Sequence, residues 1–154
     1  GSGDHWKHDI ALLKLKEEVP LTEAEVGQVH LPAQGDSDYP RSGDMCLAMG
    51  WGCKKHGGSV TDIAQKVELM ALSDTMCRIF WNKVSFETRL CAGEADKDKG
   101  VCSGDSGGPL MCKKNDRWYQ AGITSFAASE YPGKFPGVFT RVSSYINWIE
   151  QNTK

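Results

Sequence analysis

An all-β fold is predicted by three features of this 154-residue sequence. Glycine occurs 17 times and proline 6 times, and punctuation this frequent favours many short elements joined by tight turns over a helical bundle. Six strand-like runs, at residues 45–49, 66–72, 89–92, 109–112, 118–126 and 137–142, follow one another with Gly, Asp and Asn between them. That spacing suits an antiparallel barrel or sandwich. The length matches one domain, or two small sub-cores, at ~150 residues per domain.

Along the chain, residues 10–15 (Ile-Ala-Leu-Leu-Lys-Leu) form a short apolar run that reads as a buried strand, although periodicity alone does not exclude a helix. Residues 17–44 turn polar, with Pro20, Pro32 and Pro40, and read as a surface connection with one apolar patch, Val29-His30-Leu31. After the second strand run, Ser73 is placed to cap a helix through Cys77 to about Trp81, its hydroxyl accepting a first-turn N–H. Ser143 is expected to cap a second helix through Gln151. There Tyr145, Ile146, Trp148 and Ile149 share one face for docking onto the barrel.

Charge and hydropathy narrow the function classes. The 18 basic and 20 acidic side chains leave a net charge of −2, so no nucleic-acid partner is expected. No apolar run approaches the ~18 residues of a membrane-spanning helix, and no basic-then-apolar leader opens the chain, so no membrane partner is expected either. Six cysteines, at 46, 53, 77, 91, 102 and 112, are weighed between disulfides and zinc. The closest zinc-like set is Cys46, Cys53 and His56, but no Cys-x-x-Cys pair occurs. The expectation is therefore no metal, disulfides formed in an oxidising compartment, and a secreted or secretory-granule protein.

The chemistry lies in Cys102-Ser103-Gly104-Asp105-Ser106-Gly107-Gly108-Pro109-Leu110. A serine hydroxyl is a poor nucleophile unless its backbone presents it to a base and N–H groups stabilise the oxyanion. Glycines around Ser106 permit positive φ and close substrate approach, so the N–H groups of Gly104 and Ser106 can point into one concavity. With this string the sequence resembles the trypsin/chymotrypsin family of serine endopeptidases. The resemblance extends in order through Asp9-Ile-Ala-Leu-Leu-Lys-Leu, Gly50-Trp51-Gly52, Cys91-Ala-Gly, Ser125-Phe126, Pro136-Gly137-Val138-Phe139 and Tyr145-x-x-Trp148-Ile149. It implies a chymotrypsin-like antiparallel β-barrel with a C-terminal helix. Ser106 is then the nucleophile, Asp9 the triad aspartate, and Gly104 with Ser106 the oxyanion hole. Asp105 is the partner of the ammonium group of a freshly cleaved N-terminus. No cofactor is required.

In this family the triad runs His, Asp, Ser along the chain, whereas His5, His8, His30 and His56 all lack the Ala-Ala-His-Cys setting. His8 adjoins Asp9, and on a strand neighbouring side chains point to opposite faces. All four are expected at the surface. The resemblance therefore implies that the catalytic histidine and most of a first barrel precede residue 1. On that reading residues 1–16 are the last strand segment of the first barrel, 17–44 the inter-barrel connection, 45–142 the second barrel and 143–154 the C-terminal helix. The chain is expected to need that N-terminal portion as a partner, to act on peptide or protein substrates, and to meet protein protease inhibitors. The alternative is a catalytically inert, protease-like binding protein or splice product, against which the intact Asp9, Asp105 and Ser106 argue.

The resemblance places the floor of the primary pocket six residues before the nucleophile, at Gly100. Val101 and Ser103 lie beside it, with walls from Ser125, Phe126, Ala127 and Gly137. Without an acidic floor, a substrate Lys or Arg would be desolvated unpaired at a cost of several kcal/mol, whereas apolar surface gains roughly 25 cal/mol per Å² buried. Cleavage after apolar residues is expected. Asp96 and Asp98 belong to a mixed-charge stretch that reads as a solvated loop. Ala127 stands where the family usually has Gly, and its methyl at the pocket mouth favours a medium aliphatic residue or Met. Cys46–Cys112 and Cys77–Cys91 match family disulfides, the latter closing a loop of about 15 residues worth roughly 3 kcal/mol in the chain-entropy model. Residues 125–136 contain no cysteine for Cys102. The extra Cys53 is its expected partner, with free thiols or a bond from Cys53 to the missing segment as alternatives.

Overall fold

The computed structural model describes residues 7–22, 26–95, 97, 99–128 and 133–154. Six strands, β1 (Met45–Gly50), β2 (Gln65–Met70), β3 (Arg89–Ala92), β4 (Pro109–Lys114), β5 (Arg117–Phe126) and β6 (Gly137–Arg141), form one antiparallel sheet in the order β2-β1-β4-β5-β6-β3. The sheet curls until its ends approach. Ala71 bridges Ala92, and the Gly93 N–H donates to the Met70 carbonyl at 2.8 Å. Curling turns one face inward, and the strand alternation delivers Cys46, Ala48, Leu69, Leu90, Leu110, Cys112, Ala121 and Phe139 to that interior. Asn115 and Asp116 both take positive φ, 50° and 59°, as a tight two-residue hairpin between β4 and β5 requires. Among the described residues no helix is long and apolar enough to cross a membrane.

Helix α1 (Asp74–Phe80) starts as its sequence dictates, with the Met76 N–H donating to Ser73 Oγ at 3.3 Å. Seven residues are too few to be helical alone; Cys77 anchors them through its disulfide to Cys91 on β3. Behind β3 and β6, Cys77, Val84, Phe86, Cys91 and Val138 make a second cluster, and every residue of both strands is buried.

Three expectations are corrected. Residues 10–15 form no strand, and Leu13 and Leu15 are 90% and 65% exposed; apolar composition does not make a strand without a neighbour to pair its backbone. Ser143 does not cap the C-terminal helix. Residues Val142–Ser144 form a 3₁₀ turn and helix α2 begins at Ile146 (Ile146–Asn152). The Ser143 hydroxyl donates to the Asp36 carbonyl at 3.2 Å, and Gln34 Oε1 accepts the Asn147 N–H at 2.9 Å. Trp148 is 37% exposed instead of docked, while Tyr145 and Ile146 are buried.

Tyr39 ties the connection to the barrel. Its ring is 3% exposed and its hydroxyl donates to the Cys112 carbonyl at 2.7 Å. Burial, then the nearby carboxylate of Asp44, holds its phenol well above the usual tyrosine range. A raised folded value means that the stabilising effect is complete below the unfolded value near 10 and is lost as pH rises above it. Tyr39→Phe should lower the urea-derived stability at pH 8 by about 1 kcal/mol through the lost hydrogen bond. The same substitution should shrink the further loss seen between pH 9 and pH 11. An equal alkaline loss in both proteins would contradict the assignment.

Candidate active site

Ser106 stands on the loop entering β4, and backbone hydrogen bonds shape that loop. Asp105 N–H donates to the Cys102 carbonyl (3.0 Å), Gly108 N–H to Asp105 (2.9 Å) and Gly107 N–H to Thr124 (2.9 Å). Gly104 and Gly107 take φ of +98° and +80°. A Cβ on Gly104 would lie 2.7 Å from Val60 Cγ1 and 3.1 Å from Gly52 Cα, so both conformation and space demand glycine there. Among the described residues, the N–H groups of Gly104 and Ser106 donate to no protein acceptor.

The Asp105 carboxylate is held between the loop after β1 and the segment before Ser106. Its Oδ1 accepts the Gly52 N–H at 2.8 Å and its Oδ2 the Cys102 N–H at 2.9 Å. It lies against Gly50 and Gly52 so closely that a Cβ at either position would overlap it. Gly50-Trp51-Gly52 is thus a cradle for this side chain. Three disulfides brace the region: Cys46–Cys112, Cys77–Cys91 and Cys53–Cys102. Because Cys46 and Cys53 are both bonded, the zinc-like set of Cys46, Cys53 and His56 has no thiolate to offer.

Asp9 reaches the site over the outside of the barrel. Thr140 Oγ1 donates to its carbonyl at 2.7 Å and Ser125 Oγ to its Oδ2 at 2.7 Å. Ser125 also lines the cavity of about 360 Å³ that holds Ser106, together with Val101, Ser103, Phe126 and Ala127. One hydroxyl therefore joins the aspartate to the serine's cavity, a role that sequence reasoning missed by reading Ser125 only as pocket wall. Gly100 and Gly137 do not line this cavity. Gly100 faces a neighbouring one of about 210 Å³ with Asp105, and Gly137 is buried behind Val101, whose Cγ2 would meet an added Cβ at 3.0 Å. Asp96 and Asp98 lie outside the described residues.

Phe126 is backed by Trp81, edge-to-face at 5.4 Å between centroids, and the Trp81 indole donates to the Pro136 carbonyl at 2.9 Å. Only α1's position brings Trp81 here, so its part was invisible in the sequence. Of the histidines, His8 Nδ1 meets the Tyr145 hydroxyl at 2.8 Å, and His30 packs on Tyr119 at 5.2 Å. His5 lies outside the described residues. His56 is exposed, as expected, and its place at the edge of the Ser106 cavity is what the sequence reading did not give. The signal was the Cys53–Cys102 pairing, which joins a residue shortly before His56 to one shortly before Ser106.

The curled antiparallel sheet, with Ser106 on a glycine-built loop leading into β4, is a chymotrypsin-like fold. A Trypsin family model matches residues 2–149, and the chain belongs to that family. It is 36% identical over 150 residues to Trypsin-1 of Astacus astacus, covering 97% of this chain and 61% of that protein. It is 37% identical over 152 residues to the venom serine protease Bi-VSP of Bombus ignitus, with 92% and 40% covered. Against bovine (Bos taurus) coagulation factor XI it is 32% identical over 148 residues, with 96% and 23% covered. The chain thus spans less than two thirds of each relative's length.

Gly104→Ala should lower the urea-derived stability by about 1–3 kcal/mol, since a non-glycine residue must hold positive φ against Val60 and Gly52. Gly57→Ala, also at positive φ but with open space at its Cβ, should cost less. The reverse order would contradict the steric account.

Proposed function

We propose that this chain supplies the nucleophile half of a secreted serine endopeptidase that cleaves peptide bonds by an acyl-enzyme route. The observation that carries the reading is the pair of free N–H groups, on Gly104 and Ser106, beside a serine that opens into a cavity. In the first step Ser106 Oγ attacks the peptide carbonyl, and its proton passes to an imidazole that then protonates the leaving amine. The oxyanion is held by the two N–H groups. A water molecule, deprotonated by the same imidazole, releases the acyl group. Asp9, oriented by Ser125, fixes the tautomer of that imidazole. By the family's order the imidazole belongs to a portion preceding this chain, together with the first barrel, and residues 1–16 complete that barrel. Residues 17–44 connect it to the barrel at 45–142, on which 143–154 pack.

Asp105 keeps lone pairs beyond the two backbone hydrogen bonds and borders the smaller cavity. A chain-terminal ammonium entering there would pair with it and lock the loop. Val101, Phe126, Ala127 and Ala128 give the Ser106 cavity its apolar lining, and none of the described residues lining it is acidic. This supports cleavage after apolar residues instead of Lys or Arg. Three disulfides in one small domain favour an oxidising, extracellular setting, where protein inhibitors would be met.

The 154-residue chain should react with an organofluorophosphonate at Ser106 far more slowly than the protease in which its upstream portion is present. Loss of one triad member leaves roughly 10³–10⁴-fold catalysis over water. Equal labelling rates would sink the claim that the base lies upstream. A peptide-library digest by that protease should show cuts after medium aliphatic residues or Met; a dominant preference for Arg would contradict the pocket reading.

A further inference from the structure

The three disulfides differ in what surrounds them. Cys46, Cys77, Cys91 and Cys112 are each at most 1% exposed, packed into the two hydrophobic clusters. Cys91 adjoins a cavity of about 400 Å³ but itself presents no accessible surface. The Cys53–Cys102 bridge is placed otherwise. Cys102 is half-buried, Cys53 is 9% exposed, and both line the cavity of about 360 Å³ that holds Ser106. Cys53 also borders the neighbouring cavity of about 210 Å³. Thiol–disulfide exchange requires a thiolate to reach a sulfur, so a small molecule entering from the surface meets this bridge before the other two.

Its surroundings also suit exchange. Lys54 and Lys55 follow Cys53 directly, and Lys54, Lys66 and Lys99 line the smaller cavity with it. The one carboxylate among the described residues lining that cavity, Asp105, is engaged by the Gly52 and Cys102 N–H groups. Nearby lysines favour a thiolate, and a stabilised thiolate leaves faster. The bridge is the covalent tie between the β1–β2 connection and the segment before Ser106. Without it, hydrogen bonds hold the two together, from the Cys53 N–H to the Ser103 carbonyl at 3.0 Å and from the Gly52 N–H to Asp105 at 2.8 Å.

We propose that Cys53–Cys102 is a reversible reduction site for a small dithiol and, resting on the peptidase reading, that its reduction slackens the Ser106 loop and slows catalysis. One thiolate of the dithiol attacks Cys102 Sγ. The bond between the two cysteines breaks, and its electron pair stays on Cys53 Sγ, which takes a proton from water. The second thiolate of the reagent then attacks the reagent sulfur now bonded to Cys102, closes a cyclic disulfide and releases Cys102 as a thiolate that is protonated in turn. Two electrons and two protons pass to the protein, and the dithiol is oxidised. The chain has no free cysteine, so the electrons come from the reagent. Exchange with an oxidised disulfide reverses the change.

The test treats the 154-residue chain, without denaturant, with rising dithiothreitol, blocks the thiols formed with N-ethylmaleimide and maps the labelled peptides by mass. Cys53 and Cys102 should be labelled together at the lowest effective concentration, with Cys46, Cys77, Cys91 and Cys112 still paired. Labelling of all six at once, of another pair first, or of none overturns the proposal. The protease bearing this chain is assayed on a peptide before that treatment, after it, and after reoxidation by glutathione disulfide. Its kcat should fall about tenfold, a fraction of the ~10²–10³-fold lost with a whole oxyanion donor, and then return. Cys53→Ser combined with Cys102→Ser should show the low rate from the outset and no response to dithiothreitol. An unchanged kcat in the selectively reduced protease, or a response kept by the double variant, overturns the control of catalysis. Selective labelling in a protease that cleaves no peptide before reduction would instead count against the peptidase reading and support the reduction site.

Discussion

The Asp105 carboxylate sets the geometry on which the Ser106 site depends. It takes one N–H from Gly52 and one from Cys102, and hydrogen bonds to a charged acceptor contribute roughly 1.5–3 kcal/mol each. One of these donors belongs to the loop after β1 and the other to the segment before Ser106, so the carboxylate joins two stretches of chain that are far apart in sequence. The absence of a Cβ at Gly50 and Gly52 makes room for it. Ser106, the next residue, is exposed, and among the described residues the N–H groups of Gly104 and Ser106 have no protein acceptor.

Covalent ties surround this arrangement. Cys46–Cys112 crosses the adjacent strands β1 and β4 in register, which fixes the base of the nucleophile loop. Cys53–Cys102 fixes its outer edge and brings His56 with it. Ser125 then couples the barrel to the segment that runs outside it, since its hydroxyl donates to Asp9 while its residue lines the cavity. In the proposed reaction, a backbone fixed in this way leaves little reorganisation for the Gly104 and Ser106 N–H groups when they hold an oxyanion.

Much of this was legible in the sequence because the requirements are local. Gly104 and Gly107 must be glycine for conformational reasons, so the string around Ser106 announces its loop directly. Strand positions followed from alternation between turn residues, and β3 has the bounds expected for it. What was not legible depends on partners distant in sequence. The bond from Ser125 to Asp9 spans 116 residues, and the place of His56 beside Ser106 depends on a disulfide spanning 49. Residues 10–15 misled because their composition suits a strand, whereas a strand exists only where another backbone pairs with it. Ser143 misled for a related reason. Its hydroxyl finds the Asp36 carbonyl, and Gln34, from the connection, supplies the acceptor at the start of α2 instead.

The most direct measurement is a crystal structure of the 154-residue chain after its serine has been phosphonylated to completion. A preorganised loop requires the phosphoryl oxygen to lie about 2.7–3.1 Å from the nitrogens of both Gly104 and Ser106. Asp105 should remain bonded to Gly52 and Cys102 in that adduct. A phosphoryl oxygen directed into solvent, with the Gly104 peptide rotated away and Asp105 released from Gly52, would contradict the account.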